Sequence, residues 1–303
     1  MQHPNSARIN LKDPPVQMPA LVQAVRPRQW LKNVLVGAAP LAAGVLFIPM
    51  IALDTALTFI IFCGASAGVY LVNDLLDVAA DRAHPIKMNR PIASGALSAR
   101  AALVAGIVLL VSAPLGAYFV SPALAVVILI YEVLQIAYCV WFKHVPVVDL
   151  VLVSSGFLLR AIAGAVAVGI VPSQWFLLVA SFGSLFMVAG KRYSEKREFE
   201  DTGGATRKSL EEYSLSYLRF VWSVSAGLTL VAYSLWAFEL DTVLENVIPA
   251  LSIVPFSMAV LRYAYSIDKG VAGAPEDVVL ADKQLLILAA IWLGTFATFV
   301  FTR

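Results

Sequence analysis

The chain has 303 residues, 60% hydrophobic and only 14% charged, with a formal net charge of +2. A soluble domain carries roughly a quarter charged residues, and here apolar runs of about 20 residues, the length that crosses a bilayer, recur along the whole chain. This excludes an ordinary soluble enzyme and, with so small a net charge, points to no nucleic-acid partner.

In chain order, residues 1–25 are polar and Pro-containing, with no apolar stretch of signal-peptide type. They read as a cytoplasmic tail before a single membrane domain over 26–303. About nine spans follow by the length criterion, near 31–49, 52–75, 99–119, 122–141, 147–169, 172–191, 218–239, 245–267 and 283–302. Prolines at 49, 122 and 172 mark tight turns, since Pro ends one helix and is tolerated in the first turn of the next. Cys63 and Cys139 lie far apart inside apolar runs and read as small buried hydrophobes, with no disulfide framework or zinc spacing.

The charges fix an orientation. With the N-terminus inside, the external connections hold Glu239, Asp241 and Glu245 but no Lys or Arg, and only Arg303 ends outside. The other connections hold Arg82, Lys87, Arg90, Arg100, Lys143, Lys191, Arg192, Lys196, Arg197, Arg207, Lys208, Lys269 and Lys283. This is the positive-inside pattern, with the C-terminus out. The long connections 76–98 and 192–217 are both cytoplasmic, and all the polar chemistry lies on that face.

Within it, Asn73-Asp74-Leu75-Leu76-Asp77-Val78-Ala79-Ala80-Asp81 ends the second span. Asn73, Asp77 and Asp81 recur every four residues, which on a continuous helix places them on one face. Carboxylates about 6 Å apart repel by about 3 kcal/mol at an effective dielectric near 20. A divalent ion offsets that, and hard oxygen ligands suit Mg2+, which takes one or two carboxylates plus substrate phosphates and water. A lone DxxxD reads as a solvated helix end, but ionisable groups directly after an apolar span are expensive and usually functional. Next comes Arg82-Ala83-His84-Pro85-Ile86-Lys87-Met88-Asn89-Arg90, where cations beside acids suit a metal–phosphate site. His84 serves as base, phosphate donor or loop-ordering group.

Two further cationic stretches carry two readings each. Lys191, Arg192, Tyr193 and Glu195 at the end of the sixth span form either a snorkelling helix end or a phosphate site. Arg26, Arg28, Lys32 and Asn33, around Trp30, form either an anchor on anionic lipid or a seat for a lipid phosphate. Asp149 opens the fifth span, and Arg160, near its middle, should face the bundle interior and pair with a polar group. Pro275-Glu276-Asp277 and Asp282 either cap the last helix or complete the site.

The segment Asn73 to Asp81 matches NDxxDxxxD, and with the span count it makes the chain resemble the UbiA-type intramembrane prenyltransferases. RPRQWLKN at 26–33, LLRAIAG at 158–164, GKRYSEK at 190–196, RKSLEEYSLSYLRFVW at 207–222 and PEDVVLAD at 275–282 resemble its phosphoribosyl-transferring branch. The place of the usual second Asp-rich motif holds Lys191, Arg192, Tyr193 and Glu195. The resemblance implies an all-α bundle of nine membrane helices, Mg2+ as cofactor, 5-phosphoribosyl 1-diphosphate as donor and a polyprenyl phosphate as acceptor, in a plasma-membrane trimer. Asn73, Asp77 and Asp81 would hold the metal and catalyse. Arg26, Arg28, Lys32, Asn33, Arg82, His84, Lys87, Arg90, Lys191, Arg192, Tyr193 and Glu195 would bind the substrates.

Overall fold

The computed structural model describes residues 18–202, 208–244 and 247–301. Of the residues weighed above, the tail to 17, Arg207, Glu245 and Arg303 lie outside these, as do the side chains of Lys208, Asp241 and Glu276.

All regular structure among the described residues is helical. A short α1 (Ala20–Ala24) leads into an eleven-residue 3-10 segment (Pro27–Gly37) continued by α2 (Ala38–Ala42). Then come α3 (Pro49–Leu76), α4 (Val78–Ala83), α5 (Ala99–Val120), α6 (Pro122–Val140), α7 (Val148–Ala167) and α8 (Gln174–Thr202). The chain closes with α9 (Lys208–Glu212), α10 (Leu215–Leu244), α11 (Ile248–Leu251), α12 (Ile253–Asp268), α13 (Pro275–Ala281) and α14 (Lys283–Phe301).

Among the described residues seven stretches are long and apolar enough to cross a membrane: α3, α5, α6, α7, α8, α10 and the run 248–268. Apolar helix α14 is shorter over its described part. The first expected span, 31–49, is corrected. It is no single α-helix, because the 3-10 segment gives way to α2 and Gly44 turns the chain at φ 73°. Two of the three expected proline turns behave as read, Pro49 and Pro122 standing in the first turns of α3 and α6, whereas Pro172 lies two residues before α8 begins. The Ser98 hydroxyl accepts the Ala101 N–H at 3.2 Å to cap α5.

Two cores form. One joins α3, α5 and α6 to the second half of α7 through Phe62, Leu124, Ile128, Tyr131 and Ala163, with Val36 of the 3-10 segment. The other joins the start of α7 to α8, α10 and α12 through Leu150, Phe186, Tyr193, Leu218 and Ile267. Helix α7 is therefore the shared wall. Small residues set how closely the helices approach. A Cβ on Gly164 of α7 would lie 1.7 Å from the Val36 carbonyl oxygen, so the 3-10 segment lies directly on that backbone. Cys63 and Cys139 are buried and unbridged.

Arg160 is 5% exposed and fastens this junction. Its Nε donates to Asn33 Oδ1 at 2.6 Å, Nη1 to the Gly156 carbonyl at 2.6 Å and Nη2 to the Tyr131 hydroxyl at 3.0 Å. The guanidinium also lies over the Tyr131 and Phe62 rings at 4.9 and 5.4 Å. A buried cation held by neutral oxygens and ring faces is the interior pairing expected of it.

Candidate active site

The acidic motif sits where α3 stops. The helix runs to Leu76, Asp77 leaves helical geometry at φ −95°, ψ 4°, and α4 restarts at Val78. The expectation of one unbroken face through Asn73, Asp77 and Asp81 is thereby corrected. The break turns Asp74 and Asp81 toward a common partner: Arg90 Nη1 lies 3.1 Å from Asp74 Oδ1 and 2.7 Å from Asp81 Oδ2. Arg26 Nη2 reaches the same Asp74 oxygen at 2.5 Å and lies over the Tyr70 ring at 5.1 Å. Asn73 donates to Asp74 as well, at 3.4 Å. Asp77 pairs instead with Lys143, from the turn between α6 and α7.

Exposure separates the acids. The side chains of Asp74 and Asp81 are 3% and 5% exposed, that of Asp77 26%. Asp77 is the carboxylate a ligand can reach. Among the described residues no three His, Cys, Asp or Glu side chains converge on one point. The donors at the break are nevertheless hard oxygens, which fit Mg2+ bound by one or two carboxylates and completed by substrate and water, rather than an all-protein cage.

The loop after α4 is held by two of the residues marked for substrate. Arg82 Nε donates to the Ala93 carbonyl at 2.9 Å, and His84 Nδ1 accepts the Ile86 and Lys87 N–H groups at 3.2 and 3.3 Å. His84 thus orders the loop, with its partly buried neighbour Lys87 beside it.

The cationic helix end divides into a buried and an open part. Arg192 and Asp149, with side chains 5% and 0% exposed, pair at 3.2 Å. Arg192 also reaches Glu195 Oε2 at 2.7 Å and the Tyr138 hydroxyl at 3.3 Å. Tyr213 donates its hydroxyl to Asp149 Oδ1 at 2.6 Å and accepts the Val147 N–H at 2.5 Å. Burial, with the hydrogen bond to Asp149, holds the Tyr213 phenol above its ordinary pKa, so it stays a donor. Val147, β-branched, takes φ 68° to make this contact, a strained conformation at the mouth of the site. Tyr193 is buried in the α8–α10 core, its hydroxyl 2.7 Å from Arg219 Nη2. Lys191, 36% exposed at its side chain, stands 3.7 Å from Glu195 at the open side.

Lys143 joins the two motifs. Its ammonium pairs with Asp77, while its carbonyl accepts the Ser209 hydroxyl at 3.0 Å, next to the Glu211 carbonyl held by Lys196. The sequence offered no signal for the first contact, because Lys143 and Asp77 are 66 positions apart. Asp74 falls between the four-residue repeats, so the spacing gives it no signal. Of the N-terminal set, Arg26 reaches the acids, Lys32 bonds Gln29, Arg28 is exposed, and Asn33 is buried away from them on Arg160 and Cys63.

A broken acidic helix end grasped by cations, at one end of an all-α membrane bundle, defines a membrane protein equipped to handle phosphorylated ligands. The chain belongs to the UbiA prenyltransferase family, whose model matches residues 33–281. It is 50% identical to a decaprenyl-phosphate phosphoribosyltransferase of Mycobacterium tuberculosis over 93% of this chain and 95% of that one. The decaprenyl-phosphate phosphoribosyltransferase of Corynebacterium glutamicum is also 50% identical, over 90% of this chain and 84% of that one. In fold it is similar to a UbiA homologue from Archaeoglobus fulgidus bound to DMAPP and Mg2+, with TM-score 0.70, 16% identity, and 94% of this chain and 100% of that one covered.

Proposed function

We propose that the chain transfers the 5-phosphoribosyl group of 5-phosphoribosyl 1-diphosphate to a polyprenyl phosphate and releases diphosphate, supplying a precursor of cell-wall arabinan. The observation that carries this reading is the half identity, over nearly the whole chain, to proteins named for that reaction. It is supported by the second motif, where Lys191 and Arg192 stand in place of an Asp-rich segment. Two phosphate-bearing reactants need more positive charge than an isoprenyl diphosphate meeting a neutral ring.

Asp77 would hold Mg2+, which when bound neutralises the diphosphate and eases its departure, and Asn73 and Asp81 would join it once Asn73 leaves Asp74 and Arg90 turns from Asp81 to the donor. Lys143, Lys87, Arg90 and Lys191 bind the donor's phosphate oxygens, and Arg26, Arg28 and Lys32 seat the lipid phosphate. An acceptor phosphate oxygen forms a bond to ribose C1 as the C1–O bond to diphosphate breaks, the electron pair leaving with diphosphate. The acceptor is already anionic near neutral pH, so no general base is required. Catalysis then consists of positioning and charge neutralisation, and in-line attack inverts C1. Arg192, Tyr193 and Asn33 act as positioning residues, holding α8 and the 3-10 segment. The active face is cytoplasmic in this reading. A trimeric assembly rests on the resemblance alone.

The test supplies purified protein with labelled 5-phosphoribosyl 1-diphosphate and polyprenyl phosphate, and in parallel with an isoprenyl diphosphate and 4-hydroxybenzoate. Labelled lipid in the first reaction is expected. Product in the second alone overturns the assignment.

A further inference from the structure

The turn that carries Lys143 to Asp77 is gripped by a segment 66 positions further along the chain. This turn joins α6 to α7, and Lys143 lies in its single 3-10 turn, Phe142–His144. A lysine ammonium rides on a flexible four-carbon stem, so its resting place depends on how firmly its backbone is held. Two buried hydroxyls hold it. Ser209 Oγ donates to the Lys143 carbonyl at 3.0 Å, and the Tyr213 hydroxyl accepts the Val147 N–H at 2.5 Å. The turn is thus held at Lys143 itself and at the residue that precedes α7.

Neither hydroxyl is loose. Leu210 and Tyr213 pack into the core shared by α8, α10 and α12. The Tyr213 ring stacks on Tyr217 of α10, with centroids 5.7 Å apart and planes 6° apart, and Ser214 Oγ accepts the Tyr217 N–H at 3.1 Å. Lys196 Nζ donates to the Glu211 carbonyl at 3.2 Å, which ties α9 to α8. The Tyr213 hydroxyl gives its own proton to Asp149 Oδ1 at 2.6 Å, while Asp149 Oδ2 accepts Arg192 Nε at 3.2 Å. The grip is therefore continuous with α8, the helix that carries Lys191.

Strain marks the accepted bond as more than charge satisfaction. Val147 stands at φ 68°, ψ −49° before α7, with no side-chain cap. That conformation is costly for a β-branched residue and persists only where the surroundings over-determine it. Burying Asp149 explains why Tyr213 donates to it, but not why the same oxygen also takes the Val147 N–H. The consequence of that second bond is a fixed backbone four residues after Lys143.

We propose that Tyr213, assisted by Ser209, is a positioning residue that clamps the α6–α7 turn and so keeps the Lys143 ammonium on Asp77. What the ammonium then does for a diphosphate rests on the reaction proposed above, whereas the clamp does not.

Amine footprinting of the full chain in detergent tests the clamp. A pulse of a water-soluble acetylating reagent is followed by peptide mass spectrometry, with exposed Lys269 as the reference. Lys143 should react slowly in the parent chain. Tyr213→Phe removes both bonds of the hydroxyl and should raise the Lys143 rate roughly tenfold relative to Lys269. Ser209→Ala leaves Asp149 and its partners untouched and should raise it about threefold, so the test holds even where Tyr213→Phe fails to fold. A second measurement titrates magnesium diphosphate by calorimetry. Tyr213→Phe should weaken binding roughly tenfold in the parent background and not at all in a Lys143→Ala background, because the loss runs through that ammonium. An equal drop in both backgrounds would mark a merely structural role and overturn the proposal. So would Lys143 as protected in both variants as in the parent chain. Lys143 set free with diphosphate binding unchanged would uphold the clamp and remove only the donor role given to Lys143.

Discussion

Asp77 and Asp74 are three positions apart and do different work. Asp77 stands on the helix break, a quarter exposed at its side chain, with Lys143 as its partner. Removing its carboxylate takes away a reachable ligand and leaves one ammonium, that of Lys143 at 14% side-chain exposure, to find water at the open side. Asp77→Ala is therefore expected to fold and insert normally yet lose roughly a hundredfold or more in kcat. Full turnover by this variant would remove the metal-site assignment. Asp74 lies almost wholly buried between Arg26 and Arg90. Asp74→Ala leaves two guanidinium groups without their shared counter-charge, and a loss of about 3 kcal/mol or more in stability is expected. A thermal melt in detergent separates the two cases: Asp74→Ala shifts the midpoint down much further than Asp77→Ala. Lys191 is open where Arg192 is locked on Asp149. Lys191→Ala should raise KM for the phosphoribosyl donor roughly tenfold, the loss of one charge-assisted contact. The acceptor KM should stay in place, and equal rises for both substrates would argue against a donor role.

At the scale of elements, the sequence made the helices legible and left their joints obscure. Apolar length located α3, α5, α6 and α7 to within a few residues, because a bilayer demands uninterrupted backbone pairing and each span satisfies its own. The break at Asp77 was hidden, since Asp after a leucine pair carries no helix-stopping signal and the four-residue repeat of acids imitates an unbroken face. The division of labour around α8 was hidden for another reason. Lys191, Arg192 and Tyr193 are neighbours in sequence, but successive residues turn by about 100° around a helix, so one opens to the site, one enters an ion pair and one joins the core. Asn33 likewise sits in a run of polar residues, and only the pairing with Arg160, 127 positions on, fixes its role. The same junction gives an element-scale prediction. At Gly164 a methyl group would overlap the Val36 carbonyl, while at Gly227 it would meet nothing within 4 Å. Gly164→Ala should force the 3-10 segment off α7 at a cost of about 1–3 kcal/mol and lower activity by displacing Arg26, whereas Gly227→Ala should be silent. Matching melts and rates for the two variants would show that the segment accommodates the methyl elsewhere.

Across the whole molecule, the question the helices leave is how many times the chain crosses. Among the described residues seven stretches qualify by length and composition. The 3-10 segment and α2 together rise by roughly 30 Å, at about 2.0 and 1.5 Å per residue, which matches the hydrocarbon thickness of a bilayer. Their charged and polar groups do not forbid a crossing, because Arg28, Gln29 and Lys32 stand near the N-terminal end, Asn33 is satisfied by Arg160 and the backbone of Val36 is covered by α7. We expect this stretch to cross, giving nine spans with α14. Parity decides the matter. Met88 and Val171 are both exposed and are separated by the three spans α5, α6 and α7. In whole cells, a membrane-impermeant maleimide should therefore label Val171→Cys from outside and leave Met88→Cys untouched until the membrane is opened, against the low background of two buried native cysteines. An N-terminal tag is separated from Met88 by α3 alone if 27–42 stays on one side, and by two crossings if it spans. Protection of the tag together with Met88 supports the crossing and puts the acidic break and Lys191 on the cytoplasmic face. A tag reachable from outside while Met88 is protected would leave the first stretch as a re-entrant cover over α7, and the number of spans would fall to eight.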